Sequence, residues 1–301
     1  MTEFVFAPAT KEQAKARVAL AGPSGSGKTY TALTLASHFA ERFAVIDTER
    51  GSASKYADEF NFDTLRMTKF DPRDLIQALA AAQAGGYGCT VVDSMSHFWM
   101  GAGGMLELVD AAAKRSAGGN SFGGWKEARP HERRMIDALL AYDGHVIVTM
   151  RTKTEYVVEE DARGKKVPRK VGLKPEQRDG IEYEFDIVGD LDLENTLVVT
   201  KSRCRALSGA VINRPGQDLA EQVLAWLGDG KPAPAGAVEL RARILAEGVT
   251  AEALRGIYGD ASNRNLLNAA VVDADGTATT LRELLIVAGN AARVREAGEA
   301  L

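Results

Sequence analysis

Along the first half of the chain, short apolar runs alternate with longer stretches whose apolar positions recur every three or four residues. The first spacing is that of a buried strand and the second that of one helix face. Arg17-Val18-Ala19-Leu20-Ala21 reads as a strand, and Lys28 to Glu41 as the helix that follows. Phe43 to Asp47 is a second strand and Leu65 to Phe70 a third. Asp71-Pro72 opens a helix running to about Gln83, with proline at the first position, where its missing N–H is no loss. Cys89 to Asp93 gives a fourth strand, and Gly144 ends a helix before a fifth, His145 to Met150. Strands and helices in alternation predict an α/β fold, with a parallel sheet and right-handed crossovers.

The pattern changes after Thr154. Glu155 to Glu160 and Ile181 to Thr200 read as antiparallel strands, with Asp192 to Asn195 as a turn. A short helix around Leu219 to Leu227 precedes Gly228 to Gly236, whose glycines and prolines break any helix. From Ala237 onward only helical patterns are visible. These breaks give an N-terminal arm over residues 1–16, a core over 17–230, a linker over 231–236 and a small helical C-terminal domain over 237–301.

Composition narrows the class. The 301 residues carry a net charge of −4, so a nucleic-acid partner would need a local basic patch rather than the whole surface. No apolar stretch approaches the roughly 18 residues of a membrane helix, and no membrane partner is expected. Cys89 and Cys204 lie far apart, which argues against a disulfide framework and for a reducing compartment. Met1-Thr2-Glu3-Phe4 lacks the order of a secretory signal, so a cytoplasmic location is expected. The histidines His38, His97, His131 and His145 form no metal-binding motif.

Gly22-Pro23-Ser24-Gly25-Ser26-Gly27-Lys28-Thr29 satisfies G-x-x-x-x-G-K-[ST] between the first strand and first helix. Glycines let successive N–H groups curl round a phosphate, and the helix N-terminus adds a favourable dipole. Lys28 is placed to reach the β- and γ-phosphates of ATP, Thr29 to ligate Mg²⁺, and Tyr30 follows within the nucleotide-binding set. The alternative is a glycine-rich turn that matches by coincidence. Asp93 ends an apolar strand and is a candidate for the Mg²⁺ water shell, or else a turn former. Ser94 follows it, so another carboxylate has to polarise the attacking water. Glu49, just beyond the second strand in Asp47-Thr48-Glu49, is the candidate, with a solvated loop acid as the alternative.

At this point the sequence resembles the RecA family of recombination ATPases over roughly Arg17 to Pro215. The resemblance rests on the Asp-x-Glu at Asp47–Glu49, the Tyr56-Ala57 pair seven residues beyond Glu49, and Val92-Asp93-Ser94. It implies a RecA-like P-loop core with a mainly parallel twisted sheet and an antiparallel extension. It also implies Glu49 as the catalytic base and Tyr56 stacked on adenine, unless Tyr56 is only a core aromatic. The family often ends its fifth strand with a Gln that senses the γ-phosphate. Here Met150 departs from that pattern, leaving Thr149 or Arg151 for the task. Lys201-Ser202-Arg203 looks like the Lys-x-Arg element whose cations reach a neighbouring subunit's nucleotide. That implies catalysis shared across a homo-oligomer, a filament or a ring; an exposed basic strand end is the alternative. Phe4-Val5-Phe6-Ala7 fits the Phe-x-x-Ala tether between recombinase subunits.

Between Arg163 and Arg178 lie Arg163, Lys165, Lys166, Arg169, Lys170, Lys174 and Arg178, against the single acid Glu176. The resemblance places a second DNA-binding loop there, giving sequence-independent contacts with single-stranded DNA. A loop after Asp93, spanning His97-Phe98-Trp99 and Gly118 to Trp125, carries aromatics for base stacking beside Lys114 and Arg115. A solvated charge run beside core aromatics is the alternative. The function most in keeping with the resemblance is that of the RecA-like annealing proteins of bacteriophages: ATP-dependent recombination on single-stranded DNA, in a bacterial or phage-infected cytoplasm. A single-stranded-DNA-binding protein would be a further partner. A ring-forming motor, or a nucleotide switch without DNA, remains as the other reading.

Overall fold

The computed structural model describes residues 8–115, 121–160 and 166–299. Strand β1 (Arg17–Gly22) runs through the middle of a sheet covered on both faces, which is why it is almost wholly apolar. It leads into α1 (Lys28–Phe39), β2 (Phe43–Asp47), β3 (Asp63–Arg66), α2 (Pro72–Ala84) and β4 (Cys89–Asp93). Three helices follow: α3 (Ser96–Met100), α4 (Met105–Arg115) and α5 (Ser121–Leu140). Then come β5 (His145–Glu160), β6 (Lys166–Pro175), β7 (Ile187–Leu191), β8 (Thr196–Ser202), β9 (Val211–Asn213) and α6 (Gln217–Gly228). Among the described residues the sheet has nine strands in the order β3-β2-β4-β5-β1-β7-β8-β9, with β6 paired to β5 alone. The six strands from β3 to β7 along that path are mutually parallel; β8, β9 and β6 run antiparallel to their neighbours.

Period-2 alternation sorts the strand residues into two layers. Leu20, Val45, Val91 and Ile147 meet Leu33 and Phe39 of α1 and Val223 of α6. Ile46, Val92 and Val148 meet Leu75 and Leu79 of α2 and Met135 and Leu139 of α5. The parallel order therefore brings the carboxyl ends of β1, β2, β4 and β5 to one edge of the sheet, where crevices form in open α/β folds.

Several boundaries differ from the sequence reading. Helix α1 stops at Phe39, because Ala40 is extended. The third strand is Asp63–Arg66 rather than Leu65 to Phe70; as an exposed edge strand it has no buried face to mark it. The strands read at 145–150 and 155–160 are one, since β5 continues past the sheet and pairs antiparallel with β6 from Thr152↔Pro175 to Glu160↔Lys166. Ile181–Glu184 is a short 3₁₀ turn, and the antiparallel pair that follows is β7 with β8, turning at Asn195 (φ 60°). The aromatics assigned to a loop after Asp93 are helical. Phe98 in α3 is fully buried, Trp99 tilts against Trp125 of α5 at 5.7 Å, and Phe122 is exposed. Gly118 to Asn120 lie outside the described residues, as do Phe4 to Ala7.

The C-terminal region is not purely helical. A hairpin of β10 (Ala270–Val272) and β11 (Ala278–Thr280) lies among α7 (Ala237–Ile244), α8 (Ala251–Asn263) and α9 (Leu281–Glu299). Strands of three residues are too short to display a period, which is why the sequence hid them. Leu240, Leu254, Val271, Leu281 and Leu285 form its own buried cluster. The segment assigned to the arm is partly docked: Gln13 N–H donates to the Lys231 carbonyl and Lys11 pairs with Asp229 at 2.7 Å.

Candidate functional site

The loop between β1 and α1 carries its glycines where side chains do not fit. Gly25 and Gly27 adopt φ of 84° and 82°. A Cβ on Gly22 would lie 2.5 Å from the Leu191 carbonyl oxygen and 2.6 Å from Ser26 Oγ. Helix α1 begins behind this loop with no side-chain cap and no acid in its first turn. Its N–H groups and positive dipole end are thus left for an external anion. Lys28 Nζ donates to the Pro23 carbonyl at 2.8 Å, and burial lowers its ammonium pKa against the opposing pull of Asp93 and Glu49. Ser26 Oγ is buried without a partner among the described residues at the same place. A cradle of glycines, open helix donors and a half-buried lysine fits a polyphosphate.

Strand β4 carries Asp93 to the same edge. Thr29 Oγ1 donates to Asp93 Oδ2 at 2.8 Å, and Thr149 Oγ1, in the parallel part of β5, donates to Oδ1. Burial pushes the Asp93 carboxyl up, with the two threonine hydrogen bonds pulling the other way. A divalent cation beside it would favour the ionised form. Thr29 and Asp93 are the donor set expected for Mg²⁺, which binds through one or two protein oxygens plus phosphate and water. Among the described residues no cluster of three or more His, Cys, Asp or Glu competes as a metal cage.

Strand β2 lies beside β4 with Asp47 opposite Asp93. The chain then turns: the Glu49 N–H donates to Asp47 Oδ1 at 2.7 Å, and Arg50 and Gly51 take φ of 58° and 86°. That turn delivers Glu49 into the crevice, where Arg151 grips it with two parallel bonds. Nε donates to Oε1 at 2.9 Å and Nη2 to Oε2 at 2.5 Å. Burial raises the Glu49 carboxyl pKa, but the Arg151 guanidinium outweighs it and holds the group below its ordinary range. Arg151 is the first residue of β5 beyond Met150, its N–H fixed on Ser96 Oγ at 2.9 Å. Of the two sensor positions named from sequence, Thr149 is buried on Asp93 while Arg151 faces the crevice.

These side chains line one cleft of about 1090 Å³, of a size with small-molecule and cofactor sites. One wall is aromatic. Tyr30 meets Tyr56 edge-on at 5.5 Å and Phe60 at 5.4 Å, and its hydroxyl donates to Glu59 at 3.1 Å. Asn195, Arg214, Pro215 and Gly216, from the turn after β7 and the segment before α6, form a further part of the lining. Sequence reasoning missed this part; its only signal was the turn chemistry of Asp192–Asn195 and Arg214-Pro215-Gly216.

Other expected residues lie apart. Lys201 Nζ donates to the carbonyls of Glu182, Tyr183 and Phe185 at 2.6–2.8 Å, and Arg203 pairs with Asp186 at 2.5 Å. Both point to the same 182–186 turn, outside the cleft of their own chain. Lys166, Arg169 and Lys170 sit on β6, the outer strand of the hairpin arm. Lys174, at the arm's base, pairs with Asp179 at 2.6 Å. Arg163 and Lys165 lie outside the described residues. No described helix is long and apolar enough to cross a membrane.

Residues 14–210, more than half of the chain, match the model of a family described as an AAA domain. None of the curated proteins matches the chain.

Proposed function

Because the chain belongs to this AAA-domain family of P-loop ATPases, we propose that it spends ATP on recombination, binding single-stranded DNA and promoting annealing or strand pairing in a homo-oligomer. The observation that carries the reading is the continuity of β5. One strand holds Thr149 on Asp93, Arg151 on Glu49, and then runs out of the sheet into the arm whose partner strand carries Lys166, Arg169 and Lys170. The crevice and the basic arm are thus joined by one continuous strand.

In this reading the loop glycines and the open N-terminus of α1 bind the phosphates, and Lys28 exchanges the Pro23 carbonyl for a phosphate oxygen. Bound Mg²⁺, held by Thr29 and Asp93, would neutralise charge on the transferring phosphoryl group. Glu49 orients the attacking water and accepts its proton on a carboxylate oxygen. Arg151, released from Glu49, turns to the terminal phosphate and reports its presence along β5. Tyr30 and Tyr56 offer ring faces and edges for adenine. Lys201 and Arg203 would serve the nucleotide of an adjacent protomer, where cations stabilise transition-state charge.

The test is ATP turnover by the purified full chain with and without single-stranded DNA, alongside annealing of complementary strands and unwinding of a forked duplex. Turnover with ATP-dependent annealing and no unwinding is expected. Unwinding would replace this reading with a motor, and turnover indifferent to DNA with no DNA binding would replace it with a switch.

A further inference from the structure

The Glu49–Arg151 pair has a cavity on each side. On one lies the nucleotide cleft; on the other lies an open cavity of about 630 Å³, and Glu49 and Arg151 line both. The ion pair is therefore a partition at the point where the terminal phosphate would be cut. Beyond it, Thr48, Arg50, Thr68, Phe70 and His97 line the second cavity.

That lining suits a small oxyanion. Arg50 is exposed and makes no ion pair or hydrogen bond with a described residue. Its left-handed backbone, costly for a residue with a Cβ, turns the side chain out of the strand direction and into this cavity. His97 stacks on Phe70 with ring centroids 4.9 Å apart, and its Nδ1 lies 2.7 Å from Thr48 Oγ1, so Nε2 is its remaining polar atom. Glu49, the one acid in the lining, has its charge engaged by Arg151. Thr48 Oγ1 already donates to the Ser94 carbonyl, so the Arg50 guanidinium and the Thr68 hydroxyl are the donors this lining offers a tetrahedral dianion, and His97 Nε2 is an acceptor for its P–OH.

We propose that this cavity is an exit chamber for inorganic phosphate. When the Glu49–Arg151 pair parts, phosphate passes from the cleft toward Arg50 and His97, while the diphosphate stays on the glycine loop. The proposal rests on the ATPase reading of the cleft, yet the chamber is testable without turnover.

Full-length Lys28→Ala, which lacks the lysine of the phosphate loop, is titrated with inorganic phosphate and followed by ³¹P NMR line width. A saturable site is expected to persist, to weaken about tenfold or more in Lys28→Ala/Arg50→Ala through loss of a charged hydrogen bond, and to be restored by Arg50→Lys. Arg50 is exposed, so its replacement leaves the core intact, and circular dichroism checks this. Absence of a saturable site in Lys28→Ala, or equal binding with and without Arg50, overturns the proposal. In the Lys28-intact protein, Arg50→Ala should delay free phosphate behind ATP cleavage, read by a phosphate-sensing transient against rapid quench; equal lags in Arg50→Ala and the parent overturn it. A protein that never cleaves ATP while its chamber binds phosphate would sink the functional reading and leave the chamber standing.

Discussion

Glu49 sits in a balance between two opposed effects: burial, which favours its neutral form, and Arg151, which favours the carboxylate. Removing the guanidinium leaves burial opposed only by the smaller pulls of His97 and Ser94. Arg151→Gln is therefore expected to move the acid limb of the kcat/KM pH profile, which reports the nucleotide-free protein where the pair is closed, to higher pH, because Glu49 then protonates earlier. A limb that stays in place while the rate falls would mean that Arg151 only props the fold. His145 makes a separate test of how one buried residue sets stability. It is 7% exposed, and its Nδ1 accepts the Ala16 N–H at 3.0 Å, which only an unprotonated nitrogen allows. Burial, with Lys15 and Arg17 nearby, pushes its pKa down to about 4. The unfolded chain takes up the proton below its ordinary 6.5, so this contribution is complete above that pH and drains away as pH falls toward 4. Urea unfolding at pH 7 and 4.5 should show about 2 kcal/mol of acid sensitivity that His145→Gln lacks. At this scale the meeting of the glycine loop, Asp93 and Glu49 in one cleft was legible, since each was singled out from its place at a strand end. The grip of Arg151 on Glu49 was not, because the two lie on different strands separated by β4.

At the scale of elements, β5 is the feature with most consequence. Its first residues pair parallel with β1 and β4, and its last pair antiparallel with β6 outside the sheet. The arm therefore projects from a strand that is anchored on two sides. Neutralising Lys165, Lys166, Arg169 and Lys170 is expected to weaken binding of single-stranded DNA. The slope of log affinity against log salt should fall by about 0.7 for each phosphate that the protein no longer neutralises. ATP binding, measured by fluorescent-nucleotide titration, should hold, since the crevice lies at the other end of β5; an unchanged salt slope would remove the arm from the DNA site. The sequence pointed to strands on both sides of Thr154 but not to their fusion, because charged residues interrupt the apolar run where the strand leaves the core. The helices carrying Trp99 and Trp125 were hidden for a related reason. Glycine-rich flanks indicate loops, while the packing of one tryptophan on the other, with Met105, Val109 and Ala128 beside them, decides for helix.

At the scale of the molecule, the cleft of a single chain gathers the glycine loop, Thr29, Glu49 and Asp93 but draws on neither Lys201 nor Arg203. If those cations act on an adjacent protomer, assembly and hydrolysis are coupled. Sedimentation with ATP should then show oligomers that Lys28→Ala fails to form, and specific ATPase activity should rise with protein concentration. Activity independent of concentration would place the whole reaction inside one chain. The alternation of strand and helix, the cradle for a polyphosphate and the carboxylates at two strand ends follow from the amino-acid order, since periodicity and motif spacing are local properties. The wall of Asn195 and Arg214, the Arg151 partition with its second cavity, and the reach of the arm were decided only by folding. They depend on which strands become neighbours, and strand neighbourhood is set by how two apolar layers close over the sheet rather than by separation along the chain.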